Sequence, residues 1–324
     1  MPKKIVVDTD PGIDDACAIL LALASPELSL EGLTVVHGNC SLEQGTINAL
    51  SVLELANASH IPVVKGCDLP LVQPSLLAPE THGDTGLGYA KLPAPRTQAI
   101  PQHGVDFLIE TILASPGEIT LVAIAPLTNV ALAIRKEPRI VQALKELIIM
   151  GGALRHEGNT TALGEFNTYV DPHAAQIVYQ AGIPTTLVPL DVTYQCILTP
   201  GDVNRLQQID SPITKFVADA TRFYMEFHDE YQQIEGCVIN DPLALALTFM
   251  PELCTYQSLP VEVYLSGGIS MGKTIADFYN YGKKPANLKV ALGVRARDFI
   301  DLFAERIVKL ALAIPRTADG SKQV

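Results

Sequence analysis

The six cysteines (Cys17, Cys40, Cys67, Cys196, Cys237 and Cys254) include no CxxC pair and no short Cys/His ladder, so nothing suggests a zinc site. They are expected to be reduced and mostly buried in a cytoplasmic protein. No run approaches the ~18 apolar residues that a membrane helix needs. Near the N-terminus, the basic Met1-Pro2-Lys3-Lys4 is followed by only Ile5-Val6-Val7 before Asp8, too short a run for a signal peptide. The chain also lacks a surplus of positive charge. Its formal net charge is −12, which argues against a nucleic-acid backbone as partner. No internal repeat and no linker divides it. What is present is an ordinary core-forming composition: 324 residues, 48% hydrophobic and 18% charged. That suits one large folded domain better than disorder.

Short apolar runs alternate with helical patterns. Strands are expected at Ile5–Val7, Leu33–Val36, Pro62–Lys65, Ile119–Ile124, Leu147–Met150 and Thr185–Pro189. Helices are expected at Asp14–Ala24, Leu42–Asn57, Pro126–Arg135, Pro172–Ala181 and Pro242–Phe249. This β-α-β-α rhythm predicts an α/β fold: a single large Rossmann-like domain with a mainly parallel, mixed central sheet flanked by helices. The domain is expected to span residues 1–315, with residues 316–324 as a flexible tail. Two regions break the rhythm. Leu69–Pro101 is rich in proline and glycine and carries His82-Gly83-Asp84-Thr85-Gly86-Leu87-Gly88. Pro212–Tyr231 is a polar-aromatic helix whose end could border a cleft.

The densest chemistry is Asp8-Thr9-Asp10-Pro11-Gly12-Ile13-Asp14-Asp15. Asp14 and Asp15 open a helix, where carboxylates favour the N-terminal dipole and cap free N–H groups. Capping does not explain Asp10, across a tight turn at the carboxyl end of a strand. Carboxylates brought that close repel unless a proton or a cation lies between them. Oxygen-only ligands select a hard ion, Ca²⁺ or Mg²⁺, and a flexible set shared with substrate hydroxyls favours Ca²⁺. In parallel sheets, ligands bind outside the strand carboxyl ends. Asp10, Asn39, Ile124 and Met150-Gly151-Gly152 all fall there.

These residues resemble the nucleoside hydrolase family, of the inosine-uridine preferring or ribonucleoside hydrolase type, from Asp8 to about Leu312. Asp8–Asp15 is similar to its DxDPGxDD signature and Ala125-Pro126-Leu127-Thr128-Asn129 to its GPLTN turn. Met150-Gly151-Gly152 is similar to its MGG segment, Glu165-Phe166-Asn167 with Asp171-Pro172 to EFNxxxDP, and Asn240-Asp241-Pro242 to HDP. The resemblance implies cleavage of the N-glycosidic bond of a ribonucleoside to ribose and free base. It implies Ca²⁺ held by Asp10, Asp15, Asp241 and the Ile124 carbonyl, with Asp10 as general base toward water. Asp14 and Asn167 would hold the ribose diol with Asn39 near it. Asn159 and Glu165 would take the 5′-hydroxyl, and Met150 and Phe166 would pack on the sugar. A homo-oligomer, dimer or tetramer, is also implied.

The departure is Asn240, where many family members have the histidine that protonates the leaving base. An amide donates a hydrogen bond but does not titrate near neutrality. His82, in a segment resembling the family's HGxxGL loop, and His228 are the alternatives. Tyr231, Tyr224 and Phe227 are candidates to stack on the base. Two other readings compete. A nucleoside-binding or regulatory protein would keep the ion site and lose efficient chemistry, with Asn240 as its support. A haloacid dehalogenase-type phosphatase, suggested by Asp8-x-Asp10, wants Thr or Val where Gly12 stands. Gly272-Lys273-Thr274 has the wrong upstream glycine spacing for a P-loop.

Overall fold

In the computed structural model, residues 1–314 are described; the expected tail at 316–324 lies outside them. One eight-stranded sheet runs through the molecule. Its strands are β1 (Lys3–Thr9), β2 (Leu28–Val35), β3 (Val63–Lys65), β4 (Thr120–Ala123), β5 (Glu146–Met150), β6 (Thr185–Val188), β7 (Cys254–Leu259) and β8 (Leu288–Val294). The spatial order is β3-β2-β1-β4-β5-β6-β8-β7. All neighbours pair parallel except β7 on β8, which is antiparallel. The sheet is thus mixed but mainly parallel, as the alternation predicts.

The β-branched run Ile5-Val6-Val7 explains why β1 lies at the centre. Its side chains are fully buried, on both faces, which only a strand covered by helices on each side can satisfy. The chain leaves β1 and β4 in opposite directions across the sheet, so a crevice opens between their carboxyl ends. Helix α1 (Ile13–Leu23) follows β1 and is buried from Ile13 to Ala22. Helices α2 (Phe166–Val170), α3 (Pro212–Gln232) and α4 (Asn240–Ala246) complete the rim of the crevice, and α4 packs on α1.

Helix α3 starts where Ser211 accepts a hydrogen bond from the Ile213 N–H at 3.3 Å and Pro212 fits the first turn. It buries Ile213, Phe216, Val217, Ala220, Tyr224 and His228, one stripe at helical spacing. Some boundaries differ from the sequence reading. Helix α4 starts at Asn240 rather than Pro242, because Pro242 tolerates any position in a first turn. The helices Gly104–Ala114 and Ala296–Ala313 and the edge pair β7 and β8 had no place in the expected rhythm. All six cysteines are buried and unpaired. Among the described residues, no helix is long and apolar enough to cross a membrane.

Candidate active site

The Asp8–Asp15 loop folds back on itself. Asp15 accepts hydrogen bonds from the Thr9 hydroxyl (2.6 Å) and the Asp10 N–H (3.2 Å) on Oδ1, and from the Gly12 N–H (3.0 Å) and Asn39 Nδ2 (2.8 Å) on Oδ2. The helix start therefore caps the turn that precedes it. Asp8 sits beneath, where its Oδ1 takes Thr34 Oγ1 (2.5 Å) from β2 and Asn129 Nδ2 (2.8 Å) from the helix after β4. Burial raises the Asp8 carboxyl to about 7.

Asp10 Oδ2 accepts the Asn39 N–H at 2.7 Å, but its Oδ1 is buried with no partner. A Cβ at Gly38 would land on the Asp10 carboxylate, so the close approach of the β2 tip needs glycine. Asp14, Asp15 and Asp241 each offer an oxygen, and these lie within 4.8 Å of one another. All four of these aspartates are buried, and no lysine or arginine lines the adjoining cavity. Burial first, then the negative neighbours, pushes Asp10 and Asp241 well above the ordinary carboxylate range. Burial likewise raises Asp14 and Asp15, with Asp14 adding repulsion at Asp15. An orphaned carboxylate oxygen beside three clustered ones is a donor set that fits a hard metal ion. The expected ligands were Asp10, Asp15, Asp241 and Ile124. The observed cluster brings in Asp14, while Asp10 stands next to it and repels it.

The cavity beside this cluster is lined by Asp14, Asn39, Ile124, Met150, Asn159, Glu165, Phe166, Asn167, His82, His228, Asn240 and Asp241, among others. On one wall, α2 is capped by Glu165. Its Oε1 accepts the Asn167 N–H (2.8 Å), and its Oε2 accepts those of Gly152 (2.8 Å) and Thr168 (2.9 Å). Burial still raises its carboxyl. Asn159 Oδ1 holds the Phe166 N–H at 2.9 Å. Asn167 Nδ2 reaches the carbonyls of Ile124 (3.2 Å) and Met150 (3.3 Å), the tips of β4 and β5.

On the other wall, α3 presents Tyr224, Phe227 and His228, and the short helix Pro79–His82 presents His82. Asn240 donates to Asp14 Oδ2 at 3.1 Å and to the Tyr224 hydroxyl at 3.3 Å. Tyr231 stands apart from this inner cavity. It is 62% exposed, stacks on Phe227 with ring centroids 5.0 Å apart, and lines a wider outer recess with Leu76 and Leu77. Tyr194, Gln232 and Thr81 also line the cavity and were not singled out from sequence. Tyr194 follows the short helical turn Leu190–Thr193 beyond the carboxyl end of β6, the same edge of the sheet that carries Asn39 and Met150.

An α/β protein with a polar cavity at its switch point, beside a buried acidic cluster that fits a hard metal ion, is the class that fold and site define. Residues 5–301 match the family model for inosine-uridine preferring nucleoside hydrolases. The chain is 36% identical over 312 residues to the inosine-uridine preferring nucleoside hydrolase of Crithidia fasciculata, covering 96% of this chain and 99% of that one. It is 39% identical over 311 residues to the pyrimidine-specific ribonucleoside hydrolase RihA of Salmonella gallinarum, covering 95% and 99%. Among solved structures, the purine-preferring ribonucleoside hydrolase from Gardnerella vaginalis superposes with a TM-score of 0.91 at 34% identity, covering 95% of this chain and 99% of that one. The chain belongs to the nucleoside hydrolase family, and is an enzyme of the glycosidase kind.

Proposed function

We propose that the chain hydrolyses the N-glycosidic bond of ribonucleosides with Ca²⁺ as its ion and Asp10 as general base. Asp10, Asp15, Asp241 and the Ile124 carbonyl would hold the ion, with Asp14 beside them on the side of the ribose diol. When bound, the ion supplies Lewis acidity and neutralises the acidic cluster. The observation that carries the reading is Asp10 Oδ1, buried, unpartnered and next to the cluster. It is a carboxylate oxygen free to take the proton of an attacking water. The water oxygen adds to C1′, the C1′–N bond breaks, and its electron pair leaves with the base. Asn167, Asp14 and Asn39 orient the diol, and Glu165 and Asn159 the 5′-hydroxyl, so that C1′ meets the water. Met150 and Phe166 pack on the sugar. His82, His228 and Asn240 border the departing base.

The test is a panel of ribonucleosides and 2′-deoxyribonucleosides assayed for released sugar, with and without a calcium chelator. Release from ribonucleosides only, lost on chelation and restored by Ca²⁺, is expected. A second reading, a nucleoside-binding protein with weak catalysis, is favoured by Asn240, whose Nδ2 is committed to Asp14 and Tyr224. Binding without sugar release in the same panel would establish it.

A further inference from the structure

The wall formed by α3 and the short helix Pro79–His82 carries two imidazoles whose proton positions are set by the backbone, in opposite senses. The Ile13 N–H donates to His82 Nδ1 at 3.1 Å. Nδ1 must therefore present its lone pair, and the proton of the neutral ring sits on Nε2. His228 Nδ1 lies 2.8 Å from the Tyr224 carbonyl oxygen, which can only accept. Here Nδ1 carries the proton and Nε2 keeps the lone pair. Both rings line the same cavity. They are 4% and 2% exposed, and flank Tyr224 with centroids 5.4 and 4.4 Å from its ring. Burial lowers both to about 4, so both are neutral near pH 7.

Asn240 repeats the pattern. Its Nδ2 is spent on Asp14 and Tyr224, which fixes the orientation of the amide, and its Oδ1 is buried with no partner. This wall thus offers one fixed donor, His82 Nε2–H, and two acceptors, His228 Nε2 and Asn240 Oδ1.

Resting on the reading that this wall faces the leaving base, we propose that His228 is a specificity-determining residue whose Nε2 accepts a hydrogen bond from an N–H of the base, while His82 donates to an acceptor on it. The class selected is bases with a lactam N–H beside a carbonyl oxygen. A ring nitrogen with a lone pair at the same place would face a second lone pair and leave both unsatisfied. The same geometry separates the two rings chemically. Protonating His82 would break its bond from Ile13, whereas protonating His228 keeps its bond to Tyr224.

Two measurements test this on the full chain. The first is ¹⁵N NMR of the histidine-labelled protein, with resonances assigned from His82→Gln and His228→Gln. A pyridine-type Nδ1 on His82 and a pyridine-type Nε2 on His228 are expected; a pyrrole-type Nε2 on His228 overturns the proposal. The second is kcat/KM for inosine against 1-deazainosine and for uridine against 3-deazauridine, in which C–H replaces the ring N–H without added bulk. The ratio within each pair should fall roughly tenfold from wild type to His228→Phe, the worth of one hydrogen bond. An unchanged ratio in both pairs overturns the proposal. If no nucleoside releases sugar at all, the hydrolase reading fails instead, and the tautomers still decide the polarity of the wall.

Discussion

The carboxylate end of the cavity hangs from strand tips, and the imidazole end from one long helix and a short turn. At the first end, Asp10, Asn39 and Ile124 follow β1, β2 and β4 and Met150 ends β5, and hydrogen bonds tie Asp10 to Asn39 and Asn167 to the Ile124 and Met150 carbonyls. At the second, Tyr224, Phe227 and His228 occupy one turn of α3, and most of their contacts are ring against ring. A hydrogen-bonded strand end admits few alternatives, whereas an aromatic helix face tolerates exchange of one ring for another. The relatives follow that division: their names share nucleoside hydrolysis and differ over the base, pyrimidine-specific in one and purine-preferring in another.

Substitutions at the two ends should therefore differ in size and kind. The largest effect is expected for Asp10→Asn, which should lower kcat by about 10³-fold or more while the circular dichroism melt stays cooperative. Near-normal turnover would remove the general base from the scheme. Next is Gly38→Ala. Its added methyl displaces the Asp10 carboxylate, so kcat/KM should drop by about 10²-fold through misplacement alone. Retained activity would mean that the carboxylate end is more pliant than its hydrogen bonds indicate.

A third prediction concerns stability without the ion. Asp10 and Asp241 lie well above the ordinary carboxylate range, and Asp8 at about 7. An unfolded aspartate ionises near ~4. The folded state then binds more protons in the window between, so its stability is greatest below that value and declines as pH rises toward about 7 and beyond. The chelated protein should melt lower at pH 8 than at pH 5, and Ca²⁺ should raise the melting temperature more at pH 8. Equal calcium shifts at both pH values would contradict the acidic cradle. The smallest effect is expected at the other end. Tyr231→Ala, at an exposed ring, should raise KM about twofold and leave kcat unchanged; a large loss of kcat would bring Tyr231 into the chemistry.

The same division explains what could be read from the sequence. The strands that carry Asp10, Asn39, Ile124 and Met150 were visible because each is a short buried β-branched run ending in polar or glycine residues. Parallel topology then sends all those ends to one edge. Less legible was the geometry of the acidic cluster, where the Asp14 oxygen gathers with those of Asp15 and Asp241. Side-chain rotation within one helical turn decides that, and no spacing encodes it. Strands β7 and β8, the last two at one side of the sheet, had no place in the reading because they lie beyond the β-α alternation. Tyr231 was a candidate, with Tyr224 and Phe227, to stack on the base. The seven residues from Tyr224 to Tyr231 make nearly two turns, so the two rings share a face but stand about 10 Å apart along the axis, which puts Tyr231 at the rim near the helix end.

Asp8, two residues before Asp10, is clamped to β2 by Thr34 and to the helix after β4 by Asn129, and all three are buried. Opening the acidic loop would therefore have to break these buried bonds as well. Its backbone amides, including the Asp10 and Gly12 N–H groups held by Asp15, should exchange with deuterium only when the whole sheet opens. A metal ion held there would meet a cradle that is already shaped, and its binding free energy would not be reduced by the cost of ordering a loop.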